Sequence, residues 1–238
     1  MISFFKKVDR YLKRKEQAKK SLQFYKQFIT YGDVVFDVGA NIGERAEVFL
    51  KAGGSVVCVE PQTNCLAILH KKFDANNKVT IIDKALGEKE GIGEMSVCIT
   101  DSVISTMSEK WKTEGRFSND YTHTQTAQVA VTTLDILITQ YGLPKFCKID
   151  VEGFELNVIK GLSKPIPFIS FEFTKEFLKD AQEIVTHLSA IGNLQVNCSI
   201  GESMLLLNPE WLSVEKLFAQ LYATADELLW GDIYVKFL

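Results

Sequence analysis

The five cysteines offer no framework: Cys58, Cys65, Cys98, Cys147 and Cys198 are odd in number, and no two form a CxxC pair. Cys58, Cys147 and Cys198 fall in apolar, strand-like runs, where a free thiol behaves as a small hydrophobe. Disulfide staples and a zinc site are therefore not expected, and a reducing compartment fits. No run approaches the ~20 apolar residues that span a bilayer. The amino end breaks into charge at Lys6 and Lys7, too early for the apolar region of a signal peptide. A soluble, cytoplasmic protein is expected. Internal repeats, low-complexity tracts and linkers rich in Pro or Ser are also missing, which argues for one large domain. Nor is there a surplus of positive charge, with 27 Lys and Arg against 30 Asp and Glu for a net −3. A whole-protein nucleic-acid binder would be basic, so no nucleic-acid partner is expected.

What is present is ordinary for a globular chain: 238 residues, 46% hydrophobic and 24% charged, enough to bury roughly 70–75% of the unfolded surface. The charge is unevenly spread. Residues 1–30 hold nine Lys and Arg against Asp9 and Glu16, or +7, which leaves −10 for the rest. Phe5, Val8 and Leu12, with Phe4 beside them, follow helical spacing. Such an arm could meet an anionic membrane peripherally or an acidic partner. It could equally cover the main domain with its apolar side, a reading that needs burial alone. The chain divides on this basis into a basic amphipathic helical extension, 1–31, and a domain, 32–238.

After Gly32 short apolar runs alternate with helical stretches. Strands are expected at Val34–Val38, Ser55–Val59, Val79–Ile82, Val129–Thr132, Phe146–Val151, Phe168–Phe173, Leu194–Ser199, Met204–Leu207 and Ile233–Phe237. Helices are expected at Glu44–Lys51, Pro61–Phe73, Thr133–Tyr141, Phe154–Lys160 and Glu176–Ile191. The glycines at 87, 91 and 93 suggest a hairpin over 85–99, and the polar stretch 100–126 reads as the longest loop. Alternating, continuously apolar strands imply an α/β, doubly wound, mainly parallel sheet with helices on both faces. The terminal pair of strands could add an antiparallel edge.

Open α/β sheets bind ligands beyond the carboxyl ends of their strands. The first strand runs into Asp37-Val-Gly-Ala-Asn-Ile-Gly43. Gly39 and Gly43 permit a tight turn and a close backbone approach, and a helix start with free N–H groups follows. The second strand ends at Glu60, placed to accept hydrogen bonds from the ribose hydroxyls of an adenosine. A dinucleotide would use the same geometry, but its fingerprint G-x-G-x-x-G is replaced here by Gly39-x-Asn41-x-Gly43. Asp37 suits a ligand with an amino group better than a pyrophosphate. S-adenosyl-L-methionine carries an amino group and a sulfonium.

The run Phe36–Gly43, followed by Val59-Glu-Pro61, resembles the FkbM-type S-adenosylmethionine-dependent methyltransferases. The segment Lys148-Ile-Asp-Val-Glu-Gly-Phe-Glu155 with Ile159-Lys-Gly161 is the more specific match. Asp83–Gly87, Val131–Asp135 and Trp230–Ile233 also fit, so the resemblance runs from about Asp33 onward. It implies a Rossmann-like class I methyltransferase sheet of seven strands with the last antiparallel, and methyl transfer to an oxygen, often a hydroxyl on a glycan, a glycolipid or a secondary metabolite. By motif position Asp37, Gly39, Asn41 and Gly43 would hold the methionine part, Glu60 the ribose, and Asp83 would lie beside the adenine. Asp150 would face the transferred methyl and the acceptor. Ser102, Ser105 and Thr106 resemble a Ser-rich patch of the family that could line the pocket.

A neutral hydroxyl is a poor nucleophile, so a base or a metal should help remove its proton. Asp150 is the first candidate base and Glu152 the second. Glu172, near the end of the next strand, could reach the same crevice, and Lys148 could pair with one of these acids. Asp150, Glu152 and Glu172 together could instead bind a divalent cation such as Mg²⁺. Glu155 reads as a solvated helix position. His123 could contact substrate, although a lone loop histidine is commonly a surface residue. Trp111 and Phe117 could stack on a sugar or anchor a lid. Two other functions share the sheet: an NAD-dependent oxidoreductase, and a non-catalytic cofactor-binding module.

Overall fold

The computed structural model describes residues 15–98, 105–116 and 124–238. Helix α1, described over 15–25, precedes a seven-stranded sheet in the order β3-β2-β1-β7-β8-β10-β9. Its strands are β1 (Val34–Val38), β2 (Ser55–Val59), β3 (Val79–Ile82), β7 (Phe146–Ile149), β8 (Phe168–Thr174), β9 (Leu194–Ile200) and β10 (Trp230–Phe237). All neighbours pair in parallel except β10, which runs antiparallel to both β8 and β9. The antiparallel strand is thus inserted next to the edge rather than added at it.

Period-2 alternation sends successive strand residues to opposite faces. Phe36, Val38, Val57, Val59, Cys147 and Ile149 join one buried core with helices α5 (Leu134–Tyr141), α6 (Glu155–Lys160), α7 (Leu178–Ile191) and α8 (Val214–Ala223). Val35, Val56, Cys58 and Phe146 join the other with α2 (Glu44–Ala52) and α3 (Thr63–Phe73). Phe24, Tyr25, Phe28 and Ile29 belong to this second core. Phe28 stacks on Tyr234 at 5.4 Å and on Phe146 at 5.5 Å, and Tyr25 meets Phe49 edge-on at 4.9 Å. The aromatic residues before Gly32 are therefore core residues, while Lys15, Lys19, Lys20 and Lys26 remain exposed. Phe4, Phe5, Val8 and Leu12 lie outside the described residues. All five cysteines are buried, and none is in a disulfide.

The structure departs from the sequence pattern in four places. No hairpin forms over 85–99: β4 (Ala85–Leu86) and β5 (Gly91–Cys98) do not pair with each other but flank β6 (Thr124–Thr132) in a separate three-stranded sheet. Both Ala85 and Gly91 register on Val131. The polar start of β6 is explained by its exposure there. Within the expected loop, α4 (Glu109–Glu114) also forms, capped by Ser108. Met204–Leu207 is not a strand, because Gly201 and Met204 take positive φ of 51° and 52° and curl the chain instead. Finally, α8 had no counterpart in the expected elements; Ser213 caps it, and Leu217, Phe218 and Leu221 form its buried stripe.

Candidate active site

Crossovers leave β1 and β7 in opposite directions, so a crevice opens beyond their carboxyl ends. A cavity of about 940 Å³ lies there, walled by the loops after β1, β2 and β7, by Met95 and Ser105 beside the small sheet, and by Gln17, Ala18 and Ser21 of α1.

The β1 loop folds as it does because it can turn left-handed three times, at Gly39 (φ 79°), Asn41 (φ 46°) and Gly43 (φ 79°). A Cβ on Gly39 would sit 1.8 Å from the Asp150 carbonyl oxygen, so only glycine lets the two strand ends approach this closely. The N–H groups of Gly39 and Ala40 donate to the Val59 carbonyl at 2.9 and 3.0 Å. Glu60 then joins the two loops: the Asn41 N–H donates to its Oε2 and the Gln62 N–H to its Oε1, both at 2.8 Å. Burial raises the proton affinity of Glu60, and these two N–H groups work against that rise. Glu60 also lines the cavity. Asp83 is exposed at the carboxyl end of β3, and Lys84 and Ala85 beside it reach the cavity wall.

Asp37 is 2% exposed, and its Oδ2 has no hydrogen-bond partner among the described residues. Burial lifts its carboxyl to about 6; Lys148 opposes the rise and Asp150 adds to it. A buried acceptor without a partner costs about 1–3 kcal/mol, so the cavity wall holds an unmet demand for a donor or cation. The ammonium of S-adenosylmethionine would meet it, which is how the residues fit that cofactor.

At the end of β7, buried Lys148 donates to Asp150 at 2.7 Å and lies 3.8 Å from Asp232, pairing with an acid as anticipated. Burial pushes the Asp150 carboxyl up, but the Lys148 ammonium outweighs it and holds the group below the ordinary carboxylate range. Asp150, Glu152 and Glu172 bring carboxylate oxygens within 4.8 Å of one another. Burial and then neighbouring carboxylates raise Glu152 and Glu172 well above their ordinary value. Three hard oxygen donors are the ligand type a divalent cation takes, and they would have to draw closer than 4.8 Å to meet the about 4.2 Å span of an octahedral Mg²⁺ site.

Glu155 corrects an expectation. It is 6% exposed, not solvated, and its Oε1 accepts the N–H groups of Val151 at 3.0 Å and Gly153 at 3.2 Å. Burial raises this carboxyl to about 7 against those two bonds. The clamp holds Glu152 and Gly153 in left-handed conformations, φ 55° and 84°. Thr106 adds a second tie, its Oγ1 donating to the Glu152 carbonyl at 2.6 Å. Trp111 closes the outside of the loop against Gly153 and packs 5.4 Å from Phe177, so it anchors rather than stands free. Arg45, absent from the sequence-based candidates, lines the cavity and pairs with Glu202 at 2.7 Å. Glu202 carries no local signal, and the amino-terminal helix, although expected from its spacing, reaches the cavity wall only through tertiary packing. Ser105 lines the cavity. Ser102, Phe117 and His123 lie outside the described residues.

Residues 37–194 match the family model of the methyltransferase FkbM domain. The hexuronic acid methyltransferase AglP of Haloferax volcanii is 27% identical over 141 residues, 58% of this chain and 54% of that protein. A crystal structure of methyltransferase FkbM from Methylobacillus flagellatus aligns over 87% of this chain and 44% of that one, at 17% identity and a TM-score of 0.51. The chain thus spans about half the length of the relatives it matches.

Proposed function

The chain belongs to the FkbM methyltransferase family, and on that premise we propose that it is an S-adenosylmethionine-dependent O-methyltransferase acting on a hydroxyl of a glycan, glycolipid or hydroxylated secondary metabolite. The observation that carries this reading is one cavity with two complementary walls. At one wall Asp37 presents an unpartnered buried carboxyl oxygen suited to an ammonium, and at another Asp150 and Glu152 gather acids suited to take a proton. A relative named for a hexuronic acid supports the sugar end of the range. The family match weighs against the oxidoreductase and the non-catalytic module.

S-adenosylmethionine supplies a methyl group made electrophilic by its sulfonium. With that group bound, the chain's part would be to align an acceptor hydroxyl with the methyl carbon and to take the hydroxyl proton on Asp150 or Glu152. Alignment of the two reactants supplies much of the rate. Asp37, with the Gly39–Gly43 loop, holds the methionine part, Glu60 the ribose side, and Asp83 the outer end near the adenine. Asp150, which pairs with Lys148, is the first candidate base and Glu152 the second; burial and neighbouring carboxylates raise the proton affinity of Glu152 and Glu172. The same triad with Glu172 would hold Mg²⁺ if a metal assists; turnover lost on chelation and restored by Mg²⁺ would assign it that role.

Calorimetry with S-adenosylhomocysteine and with NAD tests the reading. Binding of S-adenosylhomocysteine in the micromolar range supports it, and binding of NAD alone overturns it.

A further inference from the structure

A second cavity, of about 200 Å³, borders the same loop. Alternate residues face the two spaces: Glu152 and Phe154 line the first, Gly153 and Glu155 the second. Glu172 lines the second cavity, while its carboxylate lies within 4.8 Å of those of Asp150 and Glu152, which line the first. The acid cluster is therefore where the two spaces meet.

Trp111 forms an aromatic wall of this second cavity with Phe177. The indole edge bearing Cβ and Cε3 packs on Gly153, where an added side chain would come within 2.7 Å. The N–H sits on the opposite edge. It is buried, in a residue only 6% exposed, and has no hydrogen-bond partner among the described residues. Among the described residues nothing takes that donor, which leaves it for a ligand.

The charges select the ligand. Glu152, Glu155, Glu172 and Asp150 crowd the inner end, and the nearby ammonium groups are engaged, Lys148 with Asp150 and Lys110 with Asp180 at 2.6 Å. An anionic group would find no unengaged ammonium among these residues. Hydroxyls, by contrast, donate to carboxylates, and an aromatic wall suits the apolar face of a sugar ring. We propose, resting on the methyltransferase reading, that this second cavity is the acceptor subsite and that it holds an uncharged hydroxylated ring, of the neutral sugar type. The Trp111 N–H donates to one ring substituent, and a neighbouring hydroxyl turns toward Glu172 and the cofactor cavity. Trp111 is a positioning residue for the acceptor and has no part in holding the cofactor.

The test uses the full chain saturated with S-adenosylhomocysteine and two probe sets, methyl hexopyranosides and the corresponding methyl hexuronides. The indole ¹H–¹⁵N signals of Trp111, Trp211 and Trp230 are followed by NMR, assigned by Trp→Phe substitution at each. The neutral glycosides should move the Trp111 signal at concentrations at least tenfold below those the hexuronides need. Trp111→Phe should weaken neutral-glycoside binding roughly tenfold and leave the dissociation constant for S-adenosylhomocysteine unchanged. Should Trp111→Phe fail to fold, substitutions at Trp211 and Trp230 assign the signal by elimination, and the wild-type comparison stands alone. The subsite is overturned if S-adenosylhomocysteine binds yet no neutral glycoside moves the Trp111 signal, or if the hexuronides move it as readily. Failure of S-adenosylhomocysteine to bind instead overturns the methyltransferase reading, and the subsite with it.

Discussion

Asp37→Asn should make the protein more stable and bind its cofactor less well. The carboxyl is 2% exposed and is lifted from the ordinary 3.8 to about 6, chiefly by burial. A carboxyl with a raised pKa binds protons better folded than unfolded, so its ionisation works against the fold. That opposition is absent below about 3.8, grows as pH rises, and is complete above about 6. At ~1.4 kcal/mol for each tenfold change in proton affinity it amounts to about 3 kcal/mol at pH 7. Asparagine removes the charge while keeping the shape. For a domain of this size, each kcal/mol moves Tm by ~2–4 °C. The variant should therefore melt up to about 6–12 °C higher at pH 7, and the gap should shrink to roughly half by pH 5. The ammonium of S-adenosylmethionine loses a charge-assisted partner worth about 1.5–3 kcal/mol, a weakening of roughly 10–100-fold. Unfolding curves at pH 5 and 7 and calorimetry with S-adenosylhomocysteine measure both. An Asp37→Asn variant no more stable than wild type at pH 7, or one that binds the cofactor product equally well, would refute the reasoning.

Gly39→Ala forces a Cβ into the Asp150 carbonyl at a positive φ and should destabilise by about 2–5 kcal/mol, read from urea unfolding. Glu152→Gln and Asp150→Asn should each lower turnover by roughly 10²-fold or more while S-adenosylhomocysteine affinity changes little, checked by single-turnover transfer and calorimetry. Glu155→Ala leaves the Val151 and Gly153 N–H groups unpaired and should cost about 2–4 kcal/mol. Glu155→Gln keeps the acceptor; because the native carboxyl is raised to about 7, its ionisation opposes folding increasingly up to that pH, so the Glu155→Gln variant should be the more stable at pH 8. On anionic liposomes the basic arm should confer flotation that a chain lacking residues 1–14 loses; equal recovery would rule out membrane contact through those residues.

The parallel sheet and the loops at its strand ends were legible because their signals are local. Continuous apolar runs, a positive-φ glycine pattern and strand-end acids each lie within a few residues, and the triad of Asp150, Glu152 and Glu172 converges as strand-end placement implies. What escaped depends on distant partners. In the small sheet β4 pairs with β6 and skips the strand that follows it, and β5 reaches β6 only across the long stretch that contains α4. Glu155 looked solvated because a helix start is usually exposed; its burial comes from a loop that curls back onto it. The Arg45–Glu202 pair and the α1 wall join segments far apart in the chain.

The stacking of Phe28 on Phe146 and Tyr234 sets an order of events on the ribosome. The helix that walls the cofactor cavity emerges before the sheet, but Phe24 within it packs on Tyr234 of β10, which follows every other strand of that sheet. Contacts of such separation in sequence form late, since a long loop must close before they contribute. A nascent chain can assemble β1 to β3 with their helices while the cavity still lacks its wall. Competence to bind cofactor should therefore appear abruptly, when β10 inserts between β8 and β9.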